Sequence, residues 1–277
     1  MNMLLWSTDV SDPSYAGTFE MLRAAGYEGV EVPLFDPDPT KAQQIGERLR
    51  ELELVPLAVT ARSEADSPIS PDAGVRRAAV EATRREIEAC VALGAATLCG
   101  PIAAPLGFFS GQGPEPDELR RSAETLHAMS EHAAEHDVTL VVEYLNRFEL
   151  YLVNCAADAA ALVREVGHPN CRLMYDTFHA HIEETDPRSA IAECADVLVH
   201  FHASENNRGT PGSGQVDWDG TFAALREVGY DGWVVVEAFG DALPELAAAT
   251  KVWRRTFENE EQLARDAATF LRAKLAA

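Results

Sequence analysis

Short, β-rich apolar runs alternate with longer helical patterns from one end of the chain to the other, and few folds are compatible with such a pattern. Strand–helix alternation indicates βαβ units built around a parallel sheet. Several runs are nearly continuously apolar, as expected for strands that are covered on both faces. The pattern predicts eight strands, at Leu4–Ser7, Val30–Leu34, Val55–Thr60, Thr97–Pro101, Leu140–Tyr144, Arg172–Tyr175, Leu198–Ala203 and Trp233–Phe239.

The residues between these runs favour the same interpretation. Three aspartates precede a proline, which places a capping carboxylate before a residue suited to the first helical turn. These pairs are Asp12-Pro13, Asp38-Pro39 and Asp186-Pro187. Four glycines end helical patterns just before predicted strands, the usual place of a left-handed residue. They are Gly26, Gly94, Gly167 and Gly229.

The length of 277 residues is close to that of one (β/α)8 barrel and large for most other single domains. The sequence contains no low-complexity tract or linker that would divide it. We therefore predict an α/β fold made of a single (β/α)8 TIM-barrel domain over residues 1–277.

Charge and composition restrict the partners. The formal net charge of −22 argues against a nucleic-acid partner, because phosphate binding needs a basic surface. We find no apolar run of membrane-spanning length and no signal-peptide pattern at the start. The five cysteines include no CxxC pair and are typical of small buried side chains in a reducing compartment. We expect a cytoplasmic protein with no membrane partner.

Polar side chains end four consecutive predicted strands. TLVVE ends on Glu143, CRLMYD on Asp176, VLVHFH on His202 and WVVVE on Glu237. The carboxyl ends of all strands in a parallel barrel open onto one face, where the chemistry of such enzymes takes place. Each residue alone has an ordinary alternative, such as a helix cap for an aspartate or a hydrogen-bonded core position for a histidine. Together they predict one site.

This site is predicted to hold one divalent metal ion. Three carboxylates brought together repel one another strongly, and a divalent cation removes that repulsion. Oxygen-rich ligation with one nitrogen suits Mn²⁺, with Mg²⁺ or Co²⁺ as alternatives, rather than a thiolate-type zinc site. His200 is a rival for His202, because residues two apart on a strand face the same side. We favour His202, which lies nearer the end of its strand, and expect His200 one layer deeper.

At these positions the chain resembles the ketose 3-epimerases, which include D-tagatose 3-epimerase and D-psicose (D-allulose) 3-epimerase, in the xylose-isomerase-like TIM-barrel superfamily. The family motifs are Glu-Pro-Leu-Asn-Arg-aromatic-Glu, Asp-Thr-Phe-His, a His followed by Glu and Arg three and six residues later, and Glu-Pro-Phe. The matching segments here are EYLNRFE (143–149), DTFH (176–179), HASENNR (202–208) and EAF (237–239). The resemblance is strong over roughly residues 140–277, and the first half matches in barrel pattern alone.

The resemblance implies an epimerase that inverts C3 of a free ketose through a cis-enediolate. It implies that the four strand-end residues hold the metal, and that Glu143 and Glu237 also exchange the proton on opposite faces of the substrate. It further implies that Glu149, His179 and Arg208 hold substrate hydroxyls. Because members of the family usually form dimers or tetramers, we expect a homo-dimer or homo-tetramer. Removing a proton from one face and returning one to the other inverts the carbon, so two bases suffice.

Other residues are weighed separately. Trp6, Glu31 and Phe239 lie near predicted strand ends and are expected to line the pocket.

Two residues depart from the family motifs, because Tyr144 and Ala238 replace the proline that usually follows each catalytic glutamate. Proline fixes the local backbone, so these departures leave the preferred sugar open.

Alternative functions remain at this point. The same metal site would serve an aldose–ketose or hydroxypyruvate-type isomerase, or an inosose-type dehydratase. A phosphate could be bound by Arg147, Arg208 and the RGTPGSG segment (208–214). A turn that needs Gly212 and Gly214 explains this segment as well. We therefore favour an unphosphorylated sugar. The negative charge argues against a DNA phosphodiesterase, and a non-catalytic sugar-binding barrel leaves the two glutamates unexplained.

Overall fold

The computed structural model describes residues 1–241 and 243–276. Its centre is a parallel sheet of seven strands that lie side by side in chain order. The strands are β1 (Gly29–Pro33), β2 (Val55–Val59), β3 (Thr97–Gly100), β4 (Thr139–Glu143), β5 (Cys171–Asp176), β6 (Leu198–Ala203) and β7 (Trp233–Val236). The α-helices are α1 (Ala16–Ala25), α2 (Pro39–Glu51), α3 (Ala73–Leu93), α4 (Pro116–Ala134), α5 (Ala156–Val166), α6 (Thr177–Glu183), α7 (Pro187–Cys194), α8 (Trp218–Glu227), α9 (Pro244–Thr250) and α10 (Glu260–Leu275).

The first two residues close the sheet into a barrel. Asn2 forms a parallel bridge with Glu31 of β1, and its N–H donates to the carbonyl of Val236 in β7 at 2.9 Å. The N–H of Glu31 in turn donates to the Met1 carbonyl at 2.9 Å. Because this short segment pairs with both edge strands, it takes the place of an eighth strand. The predicted fold class, a (β/α)8 barrel, is confirmed.

The predicted first strand at Leu4–Ser7 is wrong. A 3-10 helix occupies Met3–Leu5, and the contact with the sheet lies earlier, at Asn2. The Asn2 side-chain oxygen accepts the N–H of Leu4 at 2.9 Å and so begins the turn. All three residues of the turn are buried. The apolar run that suggested a strand therefore reflects core packing and not sheet pairing.

The predicted helix boundaries are confirmed. Asp12, Asp38 and Asp186 each accept N–H groups from the first turn of the helix that follows. The four glycines before strands, at 26, 94, 167 and 229, all have positive φ. Within the described ranges, we find no helix that is both long and apolar enough to cross a bilayer.

The core forms two apolar layers. The larger layer packs the strands against the surrounding helices. The smaller layer combines residues from the strands and from the segments that follow them, namely Leu4, Val59, Cys99, Val141, Met174, Phe239 and Val252. The strand register places Asp176 beside His202 and Ala203 beside Val236. Polar residues at the ends of neighbouring strands are therefore held at one level of the barrel.

Gly100, at the end of β3, offers a test of the barrel's packing. Its φ is +131°, and a Cβ at this position would overlap the carbonyl oxygen of Thr60 in the neighbouring chain segment. We expect Gly100→Ala to lower the free energy of unfolding by at least about 2 kcal/mol, since a strained backbone alone costs about 1–3 kcal/mol. Gly107→Ala is a matched control, because φ is +75° there and no atom lies within 4 Å of the added Cβ. Urea unfolding of both variants should give the larger loss for Gly100→Ala, and equal losses would contradict the proposed overlap.

Candidate active site

Four polar side chains meet at the carboxyl ends of β4 to β7. Glu143 ends β4, Asp176 ends β5, His202 lies in β6 and Glu237 directly follows β7. Each offers one ligand atom, and these atoms all lie within 4.8 Å of one another. All four residues are buried. The structure thus brings together the four residues that sequence analysis selected as metal ligands.

Two atoms that face the centre of this cluster have no hydrogen-bond partner in the part of the chain that the structure describes. His202 Nδ1 lies 3.3 Å from Glu237 Oε1 and 3.7 Å from Asp176 Oδ2. Among the described residues, neither His202 Nδ1 nor Asp176 Oδ2 has a hydrogen-bond partner. Buried polar atoms are nearly always paired, so these two atoms indicate a place for a ligand. Carboxylate oxygens with one imidazole nitrogen fit a divalent cation of the Mn²⁺ or Mg²⁺ type.

Backbone contacts orient Asp176. Its Oδ1 accepts the N–H of Phe178 at 2.5 Å and that of His179 at 3.3 Å, because Asp176 is also the N-cap of α6. Asp176 therefore caps a helix through Oδ1, as the alternative interpretation of this residue expected. The other oxygen faces the cluster. One aspartate thus begins a helix and contributes to the site.

Arg208 supplies positive charge beside the acids. Its Nη1 lies 2.5 Å from Glu237 Oε2 and 3.5 Å from Asp176 Oδ2. Its Nη2 lies 3.1 Å from His179 Nε2 and 4.0 Å from Glu149 Oε2. The guanidinium is buried, so these contacts are little weakened by water. Arg208 therefore connects the predicted metal-binding cluster with the other predicted substrate-binding residues.

Aromatic rings and an unusual backbone fix the position of Arg208. Its guanidinium carbon lies 3.7 Å from the ring centre of Phe178 and 4.8 Å from that of Phe239. Its φ is +60°, a left-handed conformation that is costly for a residue with a side chain. Strain of this kind persists where the surroundings enforce it. The guanidinium is consequently held in one orientation at the cavity.

Asn146 positions two predicted substrate-binding residues. Its side-chain Nδ2 donates to Glu149 Oε1 at 2.9 Å, and its backbone N–H donates to His179 Nδ1 at 3.0 Å. His179 Nε2 then faces Glu143 Oε1 at 3.7 Å. Burial, with the nearby charge of Arg208, lowers the pKa of His179 to about 3. His179 is therefore neutral at pH 7 and can form hydrogen bonds without adding charge.

The two glutamates of the cluster have opposite pKa shifts. Burial, and next the charge of Glu237, raises the pKa of Glu143 well above its usual range. Burial also acts to raise the pKa of Glu237, but the charges of His202 and Arg208 outweigh it and lower this pKa to about 2. Two carboxyl groups whose surroundings separate their pKa values are typical of an acid–base pair.

A cavity of about 550 Å³, including its open mouth, lies above this cluster. Polar side chains from several strand ends line one side, namely Glu143, Glu149, His179, Arg208 and Glu237. Phe239 also lines the cavity, as predicted. Trp6 instead packs, partly buried, against the core, and the 3-10 turn brings Leu4 to the cavity in its place.

Sequence analysis missed the apolar wall of this cavity. Phe35 and Leu106 line it from two loops and Leu246 lines it from α9, and Phe35 and Leu106 are exposed. Phe35 follows β1, so its strand-end position was a usable signal. We see no comparable signal for Leu106 or Leu246, because a loop conformation brings Leu106 to the site and the placement of α9 brings Leu246 there.

The residues considered for phosphate binding have other partners. Arg147 is exposed, and its Nη2 lies 2.7 Å from Glu183 Oε2. The 208–214 segment is held by Glu205, which accepts the N–H of Gly212 at 2.8 Å and the indole N–H of Trp218 at 3.0 Å. Gly212 has a φ of +88°, as a tight turn requires. The favoured interpretation of this segment as a turn agrees with these contacts.

Comparison with known proteins gives consistent relatives. The xylose isomerase-like TIM-barrel family matches residues 19–274. The ketose 3-epimerase of Arthrobacter globiformis is 31% identical over 276 residues, covering 99% of this chain and 95% of that protein. The L-ribulose 3-epimerase of Methylomonas sp. (strain DH-1) is 29% identical over 273 residues, covering 98% and 95%. The crystal structure of a D-allulose 3-epimerase from Methylomonas sp. in complex with D-allulose has a TM-score of 0.91 at 28% identity, covering 99% of this chain and 95% of that one.

Proposed function

The chain belongs to the xylose isomerase-like TIM-barrel family, and within it to the ketose 3-epimerases, and we propose that it inverts C3 of a free ketose by proton exchange. One observation carries this proposal. Two buried glutamates, Glu143 and Glu237, line the same cavity and share one cluster with Asp176 and His202. The relatives' names, which specify ketose, L-ribulose and D-allulose, support an unphosphorylated sugar as substrate.

The four strand-end residues are proposed to hold one divalent ion. We expect Mn²⁺, with Mg²⁺ or Co²⁺ as alternatives, because the donors are mainly carboxylate oxygens. His202 Nδ1 and Asp176 Oδ2, buried atoms without a hydrogen-bond partner in residues 1–241 and 243–276, support this assignment. When bound, such an ion stabilises the negative charge that develops on the substrate oxygens.

The two glutamates are proposed to move the proton. A C–H beside a ketone is a weak acid, so its base must be held close to it and ionised. Glu237, a carboxylate beside Arg208 at the cavity, accepts the C3 proton, which leaves a cis-enediolate. Glu143, which lines the same cavity, returns a proton to the opposite face of the enediolate. The two residues exchange roles when the reaction runs in reverse.

The remaining polar residues are proposed to bind the sugar. Arg208 donates hydrogen bonds to substrate oxygens near the reacting carbon, and neutral His179 lies beside it. Glu149 accepts from a hydroxyl at the edge of the same cavity. Phe239 and the apolar wall limit access of water to the reacting carbon, where stray protons would compete. A homo-dimeric or homo-tetrameric state and a cytoplasmic location remain predictions.

Product analysis tests the proposal. The Mn²⁺-loaded protein is incubated with a panel of free ketohexoses and ketopentoses, and the products are identified by NMR. We expect at least one ketose to give its C3 epimer as the sole new sugar. An aldose product would indicate an aldose–ketose isomerase, and loss of water would indicate a dehydratase. Either result, or no conversion of any sugar, would contradict the proposed epimerisation.

A further inference from the structure

A second buried cluster lies beneath the strand-end residues. It consists of Glu31, Cys99, His200 and His202, whose ligand-type atoms all lie within 4.8 Å of one another. Glu31 of β1 is its centre. Glu31 Oε1 accepts from Asn2 Nδ2 at 2.9 Å, and Glu31 Oε2 accepts from Cys99 Sγ at 3.1 Å. The Nε2 atoms of His200 and His202 lie 2.8 and 2.9 Å from Glu31 Oε2 and Oε1.

Every neighbour of this carboxylate named above can donate a hydrogen. An ionised carboxylate can only accept, so a histidine nitrogen at this distance carries its hydrogen on the Glu31 side. The His200 contact has hydrogen-bond geometry. The His202 contact is a short ion-pair distance that does not meet hydrogen-bond criteria among the described residues, so the proximity of Nε2 to Oε1, and not a formed hydrogen bond, is the observation. With the hydrogen on Nε2, the lone pair of His202 is on Nδ1. That atom is the one that faces Asp176 and Glu237.

We propose that Glu31 is a positioning residue of the metal site, which fixes the tautomer and the ring orientation of His202 so that Nδ1 is presented to the ion. Histidines that ligate metals generally donate their second ring N–H to a carboxylate or carbonyl, and this contact also strengthens the ligand. Glu31 reaches His202 from across the barrel, since β1 and β6 are not neighbours in the sheet. The inference rests on the proposed metal site and extends it by one layer.

The cluster has a second chemical interpretation. A thiol, two imidazoles and a carboxylate could themselves hold a soft ion. The contacts favour the positioning role, because Cys99 donates to Glu31 and both carboxylate oxygens already face donors. A site for an ion of its own would instead leave Glu31 without these hydrogen bonds.

Metal affinity tests the inference. Mn²⁺ is titrated into the metal-free full-length protein, free Mn²⁺ is followed by electron paramagnetic resonance, and thermal unfolding is recorded for each variant. We expect one Mn²⁺ per chain in the wild type and a Kd roughly 10–100-fold higher in Glu31→Gln. The amide of glutamine carries no negative charge and is a weaker hydrogen-bond acceptor for His202 than the carboxylate. Glu31→Asp keeps the negative charge but moves the carboxylate away from His202, because the side chain is one methylene shorter. This variant should also bind Mn²⁺ more weakly.

Glu86→Gln is the matched control. Glu86 is another buried carboxylate, but its partners are Thr60 and Arg62. This variant should lose stability while its Kd for Mn²⁺ stays at the wild-type value. An unchanged Kd in both Glu31 variants overturns the inference and leaves the proposed function intact. A wild type that binds no Mn²⁺ instead refutes the proposed metal site. Two ions per chain, with the second lost in Cys99→Ser, would show that the lower cluster is itself a metal site and overturn the positioning role.

Discussion

Glu237→Gln is expected to lower kcat/KM by at least about 10³-fold while the barrel stays folded. A positioned general base commonly contributes about 10²–10⁴-fold to the rate, and Glu237 is also a proposed ligand of the metal ion. Glutamine has nearly the shape of glutamate but accepts no proton at neutral pH. It also removes the charge that lies 2.5 Å from Arg208 Nη1. The measurement combines steady-state kinetics on a converted ketose with circular dichroism and Mn²⁺ content.

Glu184→Gln is a suitable control for this variant. Glu184 is a partly buried carboxylate at the end of α6 that accepts the N–H of Ala156 at 2.7 Å, away from the cavity lining. We expect wild-type activity from the control. Glu143→Gln should resemble Glu237→Gln, since both carboxyls are required for inversion. Wild-type turnover by Glu237→Gln would rule out the proton-transfer role assigned to it.

Removal of divalent metal should abolish epimerisation and lower the melting temperature. Without an ion, Glu143, Asp176 and Glu237 share one buried cluster, and the guanidinium of Arg208 is the positive charge beside them. An ion that binds the folded state alone adds about 2.7 kcal/mol at 100 times its Kd. Differential scanning fluorimetry of chelated and Mn²⁺-loaded protein measures the shift, and activity is followed in parallel.

Asp176→Asn serves as the comparison for metal removal. Asn still accepts the N–H groups that begin α6 but lacks the charge that faces the cluster. Its melting temperature should respond less to Mn²⁺ than that of the wild type. Full activity after exhaustive chelation, with no metal detected in the protein, would contradict the proposed role of the ion.

Sequence patterns predicted the second half of the barrel well for a physical reason. Each of its strands is an apolar run that stops at one polar side chain, so the strand and its functional residue are marked together. The predicted first strand, Leu4–Ser7, does not end on a charged side chain of this kind. Residues Met3–Leu5 are buried in a 3-10 turn, and a run of buried residues in a turn cannot be told from a short strand by hydrophobicity.

Tertiary contacts explain what the sequence could not predict in the site. Glu31 was expected to line the pocket, whereas it lies beneath the cluster and contacts His200, 169 residues away along the chain. Barrel closure creates this contact, and no local motif encodes it. The apolar wall depends in the same way on the conformation of two loops and on the placement of α9. Arg208 was selected by resemblance, but its placement between two aromatic rings required coordinates.

Solvent deuterium is the most direct measure of the central claim, which is that two carboxyl groups exchange the C3 proton. The Mn²⁺-loaded enzyme is incubated in D₂O with a ketose that it converts, and both sugars are examined by ¹H and ¹³C NMR. The proposed chemistry predicts that the product epimer carries deuterium at C3. An epimer that retains protium at C3 throughout turnover would contradict it.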